Sequence, residues 1–277
     1  MEMHFKVVAE TQNQLGEGIY YDSTTQKIFW LDILQSRLYV LHSPFNEKNL
    51  DVHQLENYPS VILNVNWPQL VYLNSRGLFS YDCNSKCTAN MTTIEHTASI
   101  EMRMNDGVQL IDGRYFFGSM GLNGEENAGK LYLVSDEKVF SSEYSNSIPN
   151  TFIELDEHVL VSDSKAGIIY KHDKDDLLGR REVWKKFDEE GKVPDGGCRL
   201  RDRVFISIWG GGCIKEYDIQ GNEIMEYQLP VLQPTNCIAV NDSLFVTSAR
   251  GGLSDEQLVN YPMSGSLIEI CLGDRDE

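Results

Sequence analysis

Asn105-Asp106-Gly107, Phe117-Gly118-Ser119 and Leu131-Tyr132 follow one another along one stretch of the chain. The succession returns as Pro149-Asn150, Val161-Ser162-Asp163 and Ile168-Ile169-Tyr170, and again as Pro194-Asp195-Gly196, Ile206-Ser207-Ile208 and Ile214-Lys215-Glu216-Tyr217. Outward from there, Gly16-Glu17-Gly18, Trp30-Leu31-Asp32 and Leu38-Tyr39 form an earlier copy. Pro234-Thr235-Asn236, Val246-Thr247-Ser248 and Ser266-Leu267-Ile268 form a last one, and residues 60–81 a degraded one. Asn105 to Asn150 and Asn150 to Asp195 each span 45 residues, Asp195 to Asn236 spans 41, and Glu17 to Asn105 spans 88, or two units of 44. Each unit holds short β-branched and aromatic runs bounded by Gly, Asn and Asp, the pattern of strands separated by turns. Six such units of about 46 residues fill the chain, and a period of ~40–50 with several strands per unit is that of a propeller blade. The sequence predicts an all-β fold: a six-bladed β-propeller, four strands per blade, with residues 1–277 as a single domain.

Composition bounds the function classes. Lys and Arg total 24 against 42 Asp and Glu, a net charge of −18. A surface this acidic repels phosphate backbones and anionic lipid, which argues against a nucleic-acid or membrane partner. No run approaches the ~18 apolar residues of a membrane helix. Residues 1–9 lack the apolar core and small-residue cleavage site of a signal peptide. A cytoplasmic monomer or dimer is therefore expected. Six cysteines without a C-x-x-C pair read as reduced thiols. The six histidines form no H-E-x-x-H and are expected mostly on the surface. Gly210-Gly211-Gly212 reads as a hairpin turn between strands, Trp209 as blade core ahead of the lining of a sugar pocket, residues 173–190 as strand plus loop, and residues 273–277 as a charged tail. There is no G-x-S-x-G elbow and no P-loop lysine motif.

In a propeller the innermost strand of each blade runs along the central channel, so residues at its start converge from distant parts of the sequence. Glu17, Asn105, Asn150 and Asp195 share that phase. All four are oxygen donors, two carboxylates and two carboxamides, which suits a hard divalent cation such as calcium or magnesium. Zinc or manganese remain alternatives. A local interpretation competes: Asn105-Asp106-Gly107 and Pro194-Asp195-Gly196-Gly197 are also good turn sequences. On phase and spacing alone, turn and site both stay open.

The motifs Leu15-Gly16-Glu17-Gly18, Arg103-Met104-Asn105-Asp106-Gly107, Ile148-Pro149-Asn150, Val193-Pro194-Asp195-Gly196 and Thr247-Ser248-Ala249-Arg250 stand in one order and spacing. In them the chain resembles the senescence marker protein (regucalcin), gluconolactonase and luciferin-regenerating enzyme-like family, over residues 15–270. The resemblance implies a six-bladed propeller with one divalent cation, calcium first, held by Glu17, Asn150 and Asp195. It implies Asp195 as general base, Arg103 and Asn105 as substrate contacts, and Asn123 at the position of a lid residue that touches sugar. The chain departs from the family pattern at Ile19 and Tyr21, at Thr151 where Gly is common, and at Asn123 where the regucalcin branch has Glu, with Glu125 and Glu126 close by.

Three functions follow. The first is a metal-dependent hydrolase that opens a sugar lactone, its partner a small molecule. The second is a non-catalytic calcium- or ligand-binding propeller. The third is a hydrolase of another ester or an organophosphate, since the same cation would polarise a phosphoryl oxygen.

Overall fold

The computed structural model describes residues 5–96 and 99–272. Residues 1–4 and the charged tail at 273–277 lie outside the described residues. Strand β1 (Phe5–Ala9) is followed by β2 (Gly16–Asp22), β3 (Lys27–Asp32), β4 (Arg37–His42) and β5 (Leu50–Gln54). Next come β6 (Val61–Asn66), β7 (Gln69–Asn74), β8 (Gly77–Asp82) and β9 (Cys87–Thr93), then β10 (Met102–Gln109), β11 (Tyr115–Gly121), β12 (Leu131–Ser135) and β13 (Lys138–Ser141). A fourth set is β14 (Pro149–Glu154), β15 (His158–Asp163), β16 (Ile168–Asp173) and β17 (Arg181–Lys186). A fifth is β18 (Val193–Leu200), β19 (Arg203–Trp209), β20 (Cys213–Asp218) and β21 (Glu223–Gln228). The chain ends on β22 (Gln233–Val240), β23 (Ser243–Ala249), the short helix α1 (Asp255–Asn260) and β24 (Leu267–Cys271).

These strands form six four-stranded sheets, the blades of a six-bladed β-propeller. Five are meanders of consecutive strands. The sixth has the order β1-β24-β23-β22, so the first strand of the chain supplies the outer strand of the last blade. The chain divides into two compact units, residues 1–54 with 195–277, and residues 55–194.

The sequence repeat corresponds to strand pairs inside each blade. Trp30 pairs with Tyr39, Tyr72 with Phe79, Phe117 with Tyr132 and Val161 with Tyr170 across the second and third strands. Trp30 and Tyr39 stack at 4.9 Å between ring centroids, an aromatic contact of about 1 kcal/mol beyond its area. Within the first unit, Ile19, Trp30 and Leu41 pack with Val240, Phe245 and Leu267, while Phe205, Ile214 and Tyr227 pack with Cys237 and Val246. Within the second, Leu73 and Leu78 meet Met104, Phe117 and Tyr132, and Leu110, Phe116 and Leu131 meet Phe152, Val159 and Val161. The inner strands are accordingly buried along nearly their whole length, on both faces, as β3, β11, β15 and β23 show.

Several local expectations change. Asn105-Asp106-Gly107 and Asp195-Gly196-Gly197 lie inside strands β10 and β18, not in turns. His172 is fully buried, and Trp209 at the end of β19 is only half-buried. Helix α1 has no counterpart in the sequence expectation. Ser254 and Gln257 cap it reciprocally, side chain to backbone. The glycines after Trp209 turn β19 into β20 as expected, with Gly210 at φ 74° and Gly212 at φ 63°.

Candidate functional site

The first strand of a blade carries a bulge at a fixed place. In β2, Gly16 pairs with Asp32 and Glu17 with Leu31, and register shifts before Tyr20. In β14, Pro149 pairs with Asp163 and Asn150 with Ser162, and register shifts before Ile153. In β10, Met104 pairs with Ser119 and register shifts before Gly107, with Asn105 following Met104. Glu17 and Asn150 therefore occupy one register position, the last paired residue before a β-bulge, and Asn105 stands one residue further on, inside the bulge of β10, where the extra residue re-aims a side chain. In β22, Pro234 pairs with Ser248 and register shifts before Cys237, so Pro234 holds the position of Glu17 and Asn150, Thr235 that of Asn105, and Asn236 stands one further on.

An aspartate at the end of the second strand fixes the approach to this position in two blades. Asp32 accepts from the Gln14 N–H at 2.8 Å, the Leu15 N–H at 3.3 Å and the Gln35 N–H at 3.1 Å. Asp163 accepts from the Ser147 N–H at 2.8 Å and the Ile148 N–H at 3.2 Å. Each carboxylate thus ties down the segment that delivers Glu17 or Asn150. Nothing in the local sequence marks either role, although each aspartate closes its second-strand motif. Gly16 is obligatory for a further reason, since a Cβ there would stand 2.7 Å from the Ser248 carbonyl oxygen. Thr235 Oγ1 also donates to the Gly16 carbonyl.

In the second unit the structure joins three of the candidate residues into one chain of bonds. Arg103 Nη1 donates to Asn105 Oδ1 at 2.6 Å and to the Met104 carbonyl at 3.0 Å. Asn105 Nδ2 donates to Asn150 Oδ1 at 2.7 Å and to the Pro149 carbonyl at 2.8 Å. Asn150 Nδ2 donates to Ser164 Oγ at 3.0 Å. The guanidinium, which only donates, sets the orientation of both amides and leaves Asn150 Oδ1 as the acceptor end. Arg103, Asn105 and Asn150 are all buried. Next to Asn105, Asp106 is also buried. Its carboxylate accepts from the backbone N–H groups of Gly107, Thr151 and Phe152. Burial pushes its pKa up to about 6, against the lowering effect of those three bonds.

Asn123 sits apart from this chain of bonds. It is exposed on the loop after β11, and its N–H and Nδ2 both donate to the Glu125 carboxylate at 3.1 Å. The Glu125 pKa is lowered, first by its own backbone N–H and then by Asn123. In the first unit, Glu17 and Asp195 are buried carboxylates. Glu17 Oε2 accepts from the Gly18 N–H at 3.2 Å. Gly196, the residue after Asp195, lies flat against the Asn236 carboxamide, where any Cβ would collide.

The donor set suits a hard cation. Glu17, Asn150 and Asp195 are all buried and each has a side-chain oxygen to offer, the donor chemistry of a hard cation. Among the described residues no three His, Cys, Asp or Glu side chains cluster. A set that includes a carboxamide falls outside that description.

The profile of the SMP-30/Gluconolactonase/LRE-like region matches residues 15–250. The chain belongs to this family. It is 26% identical to a 6-deoxy-6-sulfogluconolactonase of Pseudomonas putida, over 97% of this chain and 94% of that one. It is 26% identical to an L-arabinolactonase of Azospirillum brasilense, over 95% and 90%. Its fold superposes on a calcium-binding protein, regucalcin, of Agrobacterium tumefaciens with a TM-score of 0.89 at 26% identity, covering 99% of this chain and 96% of that one. Among the described residues no helix is long and apolar enough to cross a membrane.

Proposed function

We propose that this family member hydrolyses a sugar lactone with the help of one divalent cation, calcium first and zinc, magnesium or manganese as alternatives. The observation that carries the proposal is the shared bulge register of Glu17 and Asn150, with Asn105 inside the matching bulge of β10 and the Arg103–Asn105–Asn150 bonds that orient two amides in one sense. The lactonases among the relatives support the substrate class. Glu17, Asn150 and Asp195 are the ligands. The bound cation supplies Lewis-acid polarisation of the lactone carbonyl.

The remaining work falls to the chain. Asp195 takes a proton from the attacking water as general base. The positive charge of Arg103 and the amide of Asn105 orient the sugar hydroxyls, which raises the fraction of productive encounters. Asn123, held by Glu125 on its loop, meets the distal part of the substrate. The hydroxyl pattern of the sugar is then decided by this loop rather than by the ligand set.

The test strips the protein with chelator and follows hydrolysis of D-glucono-δ-lactone and a panel of aldonolactones as calcium, magnesium, manganese and zinc are returned. Turnover is expected to reappear with cation and to fall by about 1,000-fold in Asp195→Ala while the fold persists. Full activity in that variant would end the general-base assignment. The calcium-binding relative favours a second reading, a binding propeller without chemistry. Tight calcium binding with no turnover on any lactone would select it.

A further inference from the structure

Twelve non-glycine residues among those described have positive φ, and Thr151 is the one β-branched residue in that set. It has φ 60° and is fully buried in the β14 bulge directly after Asn150. The left-handed region is costly for a β-branched side chain. At the same register position β2 carries Gly18 at φ 58°, where no such penalty arises. The bulge conformation is therefore common to both strands, but β14 holds it with an unsuitable residue. Strain of this kind persists only where the surroundings over-determine it. Asp106 supplies that constraint: one buried carboxylate takes the N–H groups of both Thr151 and Phe152.

We propose that Asp106 is a positioning residue that clamps the strained Thr151–Phe152 bulge and so holds the Asn150 carboxamide oxygen in its ligand orientation. This rests on the proposed role of Asn150. The arrangement explains why a carboxylate sits in a site where burial opposes its charge. Three N–H donors converge on it, and an amide in its place offers only one acceptor atom. It also couples two strands of the second unit, because Asp106 adjoins Asn105 in β10 and Asn105 itself bonds Asn150.

The test uses the full chain as wild type, Asp106→Asn, Thr151→Gly and the double variant. Amide hydrogen exchange is read by NMR in chelator-treated protein, and calcium affinity by titration calorimetry. In Asp106→Asn the Thr151 and Phe152 amides should exchange at least about 10-fold faster. Calcium binding should weaken by at least about 10-fold, as for loss of a residue that orients a ligand. Adding Thr151→Gly should return the affinity to within about 3-fold of wild type, because glycine holds the bulge without a clamp. Unchanged exchange in Asp106→Asn, or an affinity loss that Thr151→Gly does not repair, would overturn the proposal. If wild type binds none of the four cations, the ligand assignment fails, and the exchange rates alone decide the clamp. If Asp106→Asn does not fold, a folded double variant supports the clamp. Failure of both would make Asp106 a general core group.

Discussion

The blade β2–β5 and the blade β14–β17 are built on one register and filled differently. Asp32 and Asp163 hold the incoming segment in the same way, and the backbone bond from Ile33 N to the Leu15 carbonyl matches that from Ser164 N to the Ile148 carbonyl. At equivalent positions the first blade has Glu17, Gly18, Ile33 and Leu41, and the second has Asn150, Thr151, Ser164 and His172. The first blade is the simple solution. A carboxylate has two equivalent oxygens and needs no orienting, a glycine takes the left-handed φ without strain, and the two remaining positions are apolar and buried. The second blade presents a carboxamide, whose two ends differ, and surrounds it with polar groups that need partners. A blade is therefore a tolerant frame, and polarity at its mouth requires support in the layers behind.

The largest expected effect comes from the position that holds Leu41 in the first blade and His172 in the second. Val159 pairs with His172 as Ile28 pairs with Leu41. His172 Nδ1 donates to the Leu177 carbonyl at 2.9 Å, and its Nε2 has no hydrogen-bond partner among the described residues. The rings of Phe116 and Tyr144 flank it. Burial pushes its pKa down to about 4, with Arg181 lowering it and the Leu177 carbonyl and Asp176 opposing. The unfolded chain takes up this proton near pH 6.5 and the folded chain only near pH 4. Stability from this group is therefore present above about pH 6.5 and falls by about 3 kcal/mol as pH drops to 4. Asp106 acts in the opposite sense. Its folded pKa of about 6 lies above its unfolded value, so its contribution falls as pH rises from 3.8 to 6. The two slopes oppose each other between pH 4 and 6. His172→Leu, which copies the first blade, should remove one of them. Urea unfolding of this variant at several pH values should show stability that, relative to wild type, declines as pH rises over that window. Identical slopes in the two proteins would refute the assignment.

A second exchange runs the other way. Gly18→Thr copies Thr151 into β2, where the clamp that serves β14 is not supplied by Asp106. The expected cost is about 2 kcal/mol of unfolding free energy, from strain at positive φ. A smaller loss than that of Gly18→Ala would mean that the threonine side chain finds compensation in β2 as well.

How much of this was legible in the sequence follows from where the partners lie. The repeat was readable because each copy carries both members of a cross-strand pair, as in Trp30 with Tyr39 and Phe117 with Tyr132, so spacing alone reported strands. The common phase of Glu17 and Asn150 was readable for the same reason, while Asn105 falls one residue past it. Asn105-Asp106-Gly107 was ambiguous because a bulge and a turn use the same residues, those that tolerate unusual φ. Asp106 could not be distinguished from a turn residue, since two of its donors, Thr151 and Phe152, stand a whole repeat further on. His172 looked like a surface histidine because a buried imidazole in a strand leaves no mark in the local pattern. Asp32 and Asp163 were present in the motifs, and only the bonds to the preceding segment show what they do.

The smallest expected effect concerns the last pair, Ile33 and Ser164. Glu17 presents two like oxygens, so a hydrocarbon at Ile33 costs it nothing in orientation. Asn150 must keep Oδ1 toward Asn105 and Nδ2 away, and Ser164 Oγ accepts from that Nδ2 at 3.0 Å. Ser164→Ala gives the second blade an apolar residue where the first has one. The loss of one buried hydrogen bond should lower stability by only about 1 kcal/mol. Its consequence for the site should be larger in proportion, because the freed amide can turn and present N–H groups to the cation. Calcium affinity should drop by about 10-fold. Asn150→Asp in the Ser164→Ala background should recover much of it, since a carboxylate again needs no orienting partner. If Ser164→Ala binds calcium as wild type does, the Arg103–Asn105 bonds alone suffice to orient Asn150. The support behind the mouth of this blade would then lie entirely on the side of β10.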